Sequence, residues 1–214
     1  MPALKRPPVQ PATPPPGGGD EGTLFTMERL LRWGEERSIA FCAANDIPQM
    51  RVCMTTRDDW RVGSCAYWRA GVAHVCVPAC ARWAGVERSR NWNWPGAVTD
   101  RTPYGVVCHE LGHHVDHYVS TRNGLRTGKY YGDYSASVYA QSGERAITSY
   151  CPNDAEWFAE MFRLFVTNHA LLYHIRPRTW DLLTDRFEPV SSPDWITALG
   201  PNVPERIIAT QRRR

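Results

Sequence analysis

The sequence predicts an α+β fold in which a small twisted sheet packs among helices. Three observations point that way. Apolar residues recur at helical spacing in three well-separated stretches, and the segment between the first two reads as a strand followed by a hairpin. The composition can bury a sizeable core, with 43% apolar residues, 11% aromatic residues and nine tryptophans. A length of 214 residues fits one domain of the usual ~100–200 residues with a modest tail.

Residues 1–22 are dominated by proline and glycine, including Pro14-Pro15-Pro16 and Gly17-Gly18-Gly19, and are expected to be a disordered tail ahead of a single domain spanning 23–214. From Leu24 to Ala44, the residues Leu24, Met27, Leu30, Leu31, Ile39 and Phe41 mark one amphipathic helix, with Gly34 as a place for a kink. Met50 to Thr55 reads as a short strand, and Ser64 to Val77 as a hairpin that turns at Arg69-Ala70-Gly71 and is ended by Pro78. Residues 82–103 are expected to form an ordered loop, because the rings of Trp83, Trp92 and Trp94 would not stay in water. Thr102 as N-cap and Pro103 at the first helical position then open a helix that runs to about Tyr118. A long loop over 120–150 contains one short helix near 135–141. Asn153 to Thr167 forms a second strong helix, apolar at Trp157, Phe158, Met161, Phe162, Leu164 and Phe165. Short helices interrupted by Pro177, Pro189, Pro193, Pro201 and Pro204 complete the chain.

Charge and cysteine usage exclude several classes. The net charge of +3 comes from 25 basic and 22 acidic residues, a near-balance that makes no electrostatic case for nucleic acid, although all the basic residues except Lys5 and Lys129 are arginine. No stretch approaches a membrane span, and the N-terminus lacks the apolar core of a secretion signal, so no membrane partner and a cytoplasmic location are expected, with virion association or export left open. Seven cysteines without a C-x-x-C pair suit neither a disulfide scaffold nor a zinc ribbon and read mostly as small buried thiols. His74-Val75-Cys76 with Cys80 lacks the glutamate and the P-C-x-x-C of a deaminase and reads as core and strand.

His109-Glu110-Leu111-Gly112-His113 carries the chemistry. Two imidazoles at i and i+4 lie on one helix face, where both can reach one tetrahedral Zn²⁺, and Glu110 stands beside them to take a proton from a water that zinc acidifies to a pKa of ~7. A third ligand is needed. His117 lies about 12 Å of helix rise from His109, too far to share the ion, and is expected with His114 at the surface or behind the site. The longer H-E-x-x-H-x-x-G-x-x-H pattern is not met, since Val119 stands at its last position. The second strong helix offers Glu156 and Glu160, again at i and i+4 and flanked by a dense apolar face where a buried carboxylate needs a cation. The competing readings are a capping box with Asn153 for Glu156 and an exposed helix charge for Glu160. Asp133 fits loop turn chemistry better than ligation.

The blocks Val107-Cys108-His109-Glu110-Leu111-Gly112-His113-His114-Val115-Asp116, Ile147-Thr148-Ser149-Tyr150 and Asn153-Asp154-Ala155-Glu156-Trp157-Phe158-Ala159-Glu160-Met161-Phe162-Arg163-Leu164 resemble the catalytic domain of the anthrax lethal factor family of zinc metallopeptidases, and more loosely phage-encoded metallopeptidase-like proteins. The resemblance covers about residues 104–165. It implies a zincin-like fold, one Zn²⁺ per chain held by His109, His113 and Glu156, Glu110 as general base, Glu160 behind the ligands, and Tyr150 assisting the transition state, although the interval from Tyr150 to Glu156 is one residue shorter than the family's. Asp116 is also expected behind the ligands. The implied activity is endopeptidase cleavage of a protein or peptide substrate; the alternative is a metal-binding regulatory or virion-associated protein that cleaves nothing. Upstream of residue 100 nothing resembles the family's substrate-docking domains, so its substrate preference is not implied. The resemblance also suggests that strand 72–77 lies at the sheet edge and pairs with extended substrate.

Overall fold

The computed structural model describes residues 27–55, 66–76, 100, 102–128, 132–148 and 151–190. The Pro/Gly tail, the Trp-rich loop before residue 100, Tyr150 and the C-terminal stretch after 190 lie outside the described residues. The chain is mixed α and β: helix α1 (Met27–Ala44), strands β1 (Arg51–Thr55), β2 (Ala66–Arg69) and β3 (Val72–Cys76), then helices α2 (Pro103–Arg122), α3 (Tyr134–Ser142), α4 (Asp154–Ile175) and α5 (Pro177–Thr184). Among the described residues no helix is long and apolar enough to cross a membrane.

The three strands form one sheet in the order β1-β3-β2, with β1 parallel and β2 antiparallel to β3. Strand β3 is therefore central, hydrogen-bonded on both sides, and the expectation that residues 72–77 offer a free edge to substrate is overturned. Alternation is the same in an edge and a central strand, so the sequence carries no signal that separates them. The hairpin turn places Ala70 at φ 49° and Gly71 at φ 82°, the left-handed pair that matches the twist of two adjoining strands and that glycine enters at little cost. In register, Ala66, Trp68, Ala73 and Val75 turn inward onto the helices, and Tyr67 and His74 stack on the outer face with ring centroids 4.7 Å apart.

Helix α2 is the central element, buried from Pro103 to Asp116. It begins as expected at Thr102 and Pro103, but the Thr102 hydroxyl does not cap it: that hydroxyl and the Thr102 amide both donate to Asp100 Oδ1, at 2.6 and 2.9 Å. The helix also runs one turn past Tyr118, ending at Arg122 with Asn123 as its C-cap. On one side it packs on α1, where Trp33 stacks on Tyr104 at 3.9 Å. On the other it crosses α4, whose Phe158, Phe162 and Phe165 join Phe41 and Phe187 in an aromatic core. At the crossing Gly112 faces the Ala159 backbone so closely that a Cβ would stand 2.7 Å from Ala159 Cα.

Helix α4 is longer than the apolar pattern alone implies because it continues through a break at Asn168, whose φ of −157° is not helical. The Asn168 side chain accepts the Leu171 amide at 3.0 Å and so restarts the helix, which Pro177 follows at the head of α5. Cys42, Cys76 and Cys108 are buried thiols as expected, whereas Cys53 is exposed.

Candidate metal centre

The crossing of α2 over α4 assembles the candidate site. His109 and His113, one turn apart on α2, face Glu156 in the first turn of α4, and a ligand atom from each of the three lies within 4.8 Å of the other two. Glu156 Oε2 is 3.1 Å from His109 Nε2 and 3.6 Å from His113 Nε2. Ligand atoms of a tetrahedral zinc with bonds of 2.0–2.1 Å stand about 3.3 Å apart, and the two distances bracket that value. Two imidazole nitrogens and one carboxylate oxygen form a donor set that could hold a divalent transition-metal ion, and among the described residues these three are the ligand group.

The start of α4 shows why Glu156 is available. Asn153 caps the helix by accepting the Glu156 amide at 3.0 Å, which is one half of a capping box. The Glu156 carboxylate does not complete the box and turns to the histidines. Beside it Glu110 is buried, with one oxygen accepting the Trp68 amide of β2 and Oε2 without a hydrogen-bond partner among the described residues. Burial raises the Glu110 carboxyl above its usual range, while the neighbouring His109 and His113 pull the other way. A buried carboxylate with one unused oxygen beside three converging ligands is placed to accept a proton.

Glu160 stands behind His109, where the resemblance places it, and is not an exposed charge. Its Oε1 is 2.8 Å from His109 Nδ1, an arrangement that fixes the ring and leaves Nε2 for a metal. Burial would lower the His109 pKa, but the hydrogen bonds and charges of Glu156 and Glu160 outweigh it and push it up to about 10. Glu156 is held well below the usual carboxylate range by the same histidines, against the effect of burial.

Asp116 lies near enough to His113 for their charges to interact but makes no hydrogen bond to it among the described residues. Its two oxygens accept the amides of Gly132 and Ser135 at 2.7 and 2.8 Å, so it pins the segment after α2. His114 is buried and its Nε2 donates to the Pro48 carbonyl at 2.7 Å, whereas His117 is half-buried with its ring packed on Trp68 at a centroid distance of 5.0 Å. Asp133 sits at the N-cap of α3 and pairs with Arg126, consistent with a turn role. Tyr150 lies outside the described residues.

Several contributors were not found from the sequence. Thr148 and Arg163 bind Glu160, and the Trp68 main chain binds Glu110. Arg163 had a readable signal, since i+3 from Glu160 puts both on one helix face; Trp68 had none, because any residue at that strand position supplies the same amide. No family model matches the chain, and neither the curated proteins nor the solved structures contain a match to it.

Proposed function

We propose that the chain is a zinc-dependent endopeptidase. The observation that carries the reading is the convergence of His109, His113 and Glu156 beside a buried Glu110 oxygen that has no hydrogen-bond partner among the described residues. A structural metal site has no need of that base, and closes its fourth position with another side chain. The likeness of the 107–116 and 153–164 blocks to the lethal factor family supports the same roles.

His109, His113 and Glu156 would hold a zinc ion, which when bound would supply Lewis acidity toward a peptide carbonyl and acidify water. Glu110 takes the proton of the attacking water on its unpaired Oε2 and delivers it to the leaving amine, and its raised proton affinity suits both halves of that task. The Trp68 amide holds the other oxygen and keeps the carboxylate aimed. Tyr150, assigned by resemblance, hydrogen-bonds the developing oxyanion. The deciding experiment compares wild type with Glu110→Gln in zinc analysis and in a peptide-library cleavage assay. The amide keeps the shape of the side chain but cannot accept the proton, so the variant should keep its zinc and lose nearly all cleavage. A wild-type protein that holds zinc and cleaves nothing would instead be a metal-binding protein with a regulatory or structural role.

A further inference from the structure

Glu160 is tied to three neighbours behind the candidate centre. Its Oε1 faces His109 Nδ1 at 2.8 Å, and its Oε2 accepts the Thr148 hydroxyl at 2.9 Å and an Arg163 amino group at 2.6 Å. The other amino group of Arg163, itself buried, donates to the Asp100 carbonyl at 2.8 Å. Asp100 in turn holds the amide and hydroxyl of Thr102 at the start of α2. One side chain on α4 thus joins the carboxylate behind His109 to the opening turn of the helix that carries His109.

A carboxylate turns easily about its terminal torsion. With Oε2 captured by a charged and a neutral donor, Glu160 presents Oε1 to His109 in one orientation. The planar fork of arginine suits this double duty, because it spans two acceptors in fixed directions, whereas a lysine ammonium is a point charge on a flexible stem.

We propose that Arg163 is a positioning residue of the metal centre, fixing Glu160 and through it the His109 ring while holding both in register with the first turn of α2. The inference rests on the metal reading above. It assigns Arg163 an effect on metal affinity although the side chain touches no ligand.

The test measures the zinc dissociation constant of the full chain by competition with a chromophoric chelator, alongside thermal unfolding of the metal-free protein. The proteins are wild type, Arg163→Met, Arg163→Lys, Glu160→Gln and the two Arg163 variants combined with Glu160→Gln. Loss of support for a ligating histidine weakens metal binding by about 10–100-fold, which is the effect expected of Arg163→Met, with Arg163→Lys intermediate. In the Glu160→Gln background the same replacements should change affinity by less than about threefold, because the route through the carboxylate is gone. If Arg163→Met fails to fold by leaving Glu160 uncompensated, the lysine variant reads the same coupling, and the Met/Gln combination carries no buried charge at either position. Equal losses with and without the Glu160 carboxylate would show that Arg163 only supports packing and would overturn the proposal. Unchanged affinity in folded Arg163 variants would overturn it too and leave the metal reading intact. A wild-type chain that binds no zinc would remove the metal reading, and this inference with it.

Discussion

Replacing Gly112 with alanine sets two effects of opposite sign against each other. In an open helix the change would stabilise by about 0.8–1 kcal/mol, since alanine is the better helix former. At the α2–α4 crossing the new Cβ would stand 2.7 Å from Ala159 Cα, 3.2 Å from Phe162 Cβ and 3.3 Å from Ala159 Cβ. Carbon atoms settle ~3.5–4.0 Å apart, so the helices must part by about 1 Å, and the nearest obstacle is backbone that cannot swing aside. Overpacking of this kind costs about 1–3 kcal/mol, and the backbone contact places Gly112→Ala toward the upper end. The net loss is about 1–2 kcal/mol, or ~2–8 °C in Tm for a chain of this size. Ala159 adjoins Glu160 and lies one turn beyond Glu156, so parting the helices carries both carboxylates away from His109 and His113. Metal–ligand distances tolerate only about 0.2 Å, and the zinc dissociation constant should rise at least about tenfold. Circular-dichroism melts with and without zinc, together with chelator competition, read both numbers. An unchanged or raised Tm would refute the close crossing. A lowered Tm with wild-type zinc affinity would refute the claim that this crossing sets the ligand spacing.

Glu156→Ala and Glu160→Ala should rank oppositely in two measurements. Glu156→Ala should cost more zinc affinity, while Glu160→Ala strands the buried Arg163 and costs more stability, about 3–5 kcal/mol by denaturant unfolding; the reverse order of zinc affinity would make Glu160 the ligand. The metal-free protein should lose stability as pH rises from about 6.5 toward 10, because His109, raised to about 10, contributes fully only below its ordinary pKa of 6.5. Glu156, held low, contributes above its ordinary 4.5 and loses its contribution as pH falls below it, so the cluster stabilises most between these limits. Zinc competes with the Nε2 proton, and the rise in Tm on adding zinc should grow from about pH 6 to pH 8; a zinc effect independent of pH would exclude His109 as a ligand. Asp116→Ala should lower Tm by freeing the amides of Gly132 and Ser135 but leave zinc affinity within about threefold, and a larger loss of affinity would show that Asp116 supports His113 as well.

The parts of the site legible in the sequence are those that one helix fixes alone. The i,i+4 spacing of His109 and His113 fixes their shared face whatever surrounds the helix, and the Asn153 cap fixes where α4 begins and hence which turn presents Glu156. The hydrogen bonds of Asp116 are of another kind, because Gly132 and Ser135 bring bare amides to its carboxylate from a segment whose approach no periodicity announces. Strand β3 failed for a related reason: alternation reports which side chains face the core, whereas edge or centre depends on where β1 pairs, and a parallel partner reached across an intervening strand leaves no mark in either segment. The features that adapt the site to chemistry belong to this second kind. The amide of Trp68 on Glu110 and the carbonyl of Asp100 on Arg163 are main-chain groups, present at every position, so their role comes from tertiary placement and not from residue identity. A sequence can therefore announce ligands and a base through side-chain types at fixed intervals and stay silent about what aims them. The charged residue that bridges the two kinds, Arg163, is where the two kinds of information meet: its helical spacing from Glu160 is local, and its reach to the start of α2 is visible only in the folded chain.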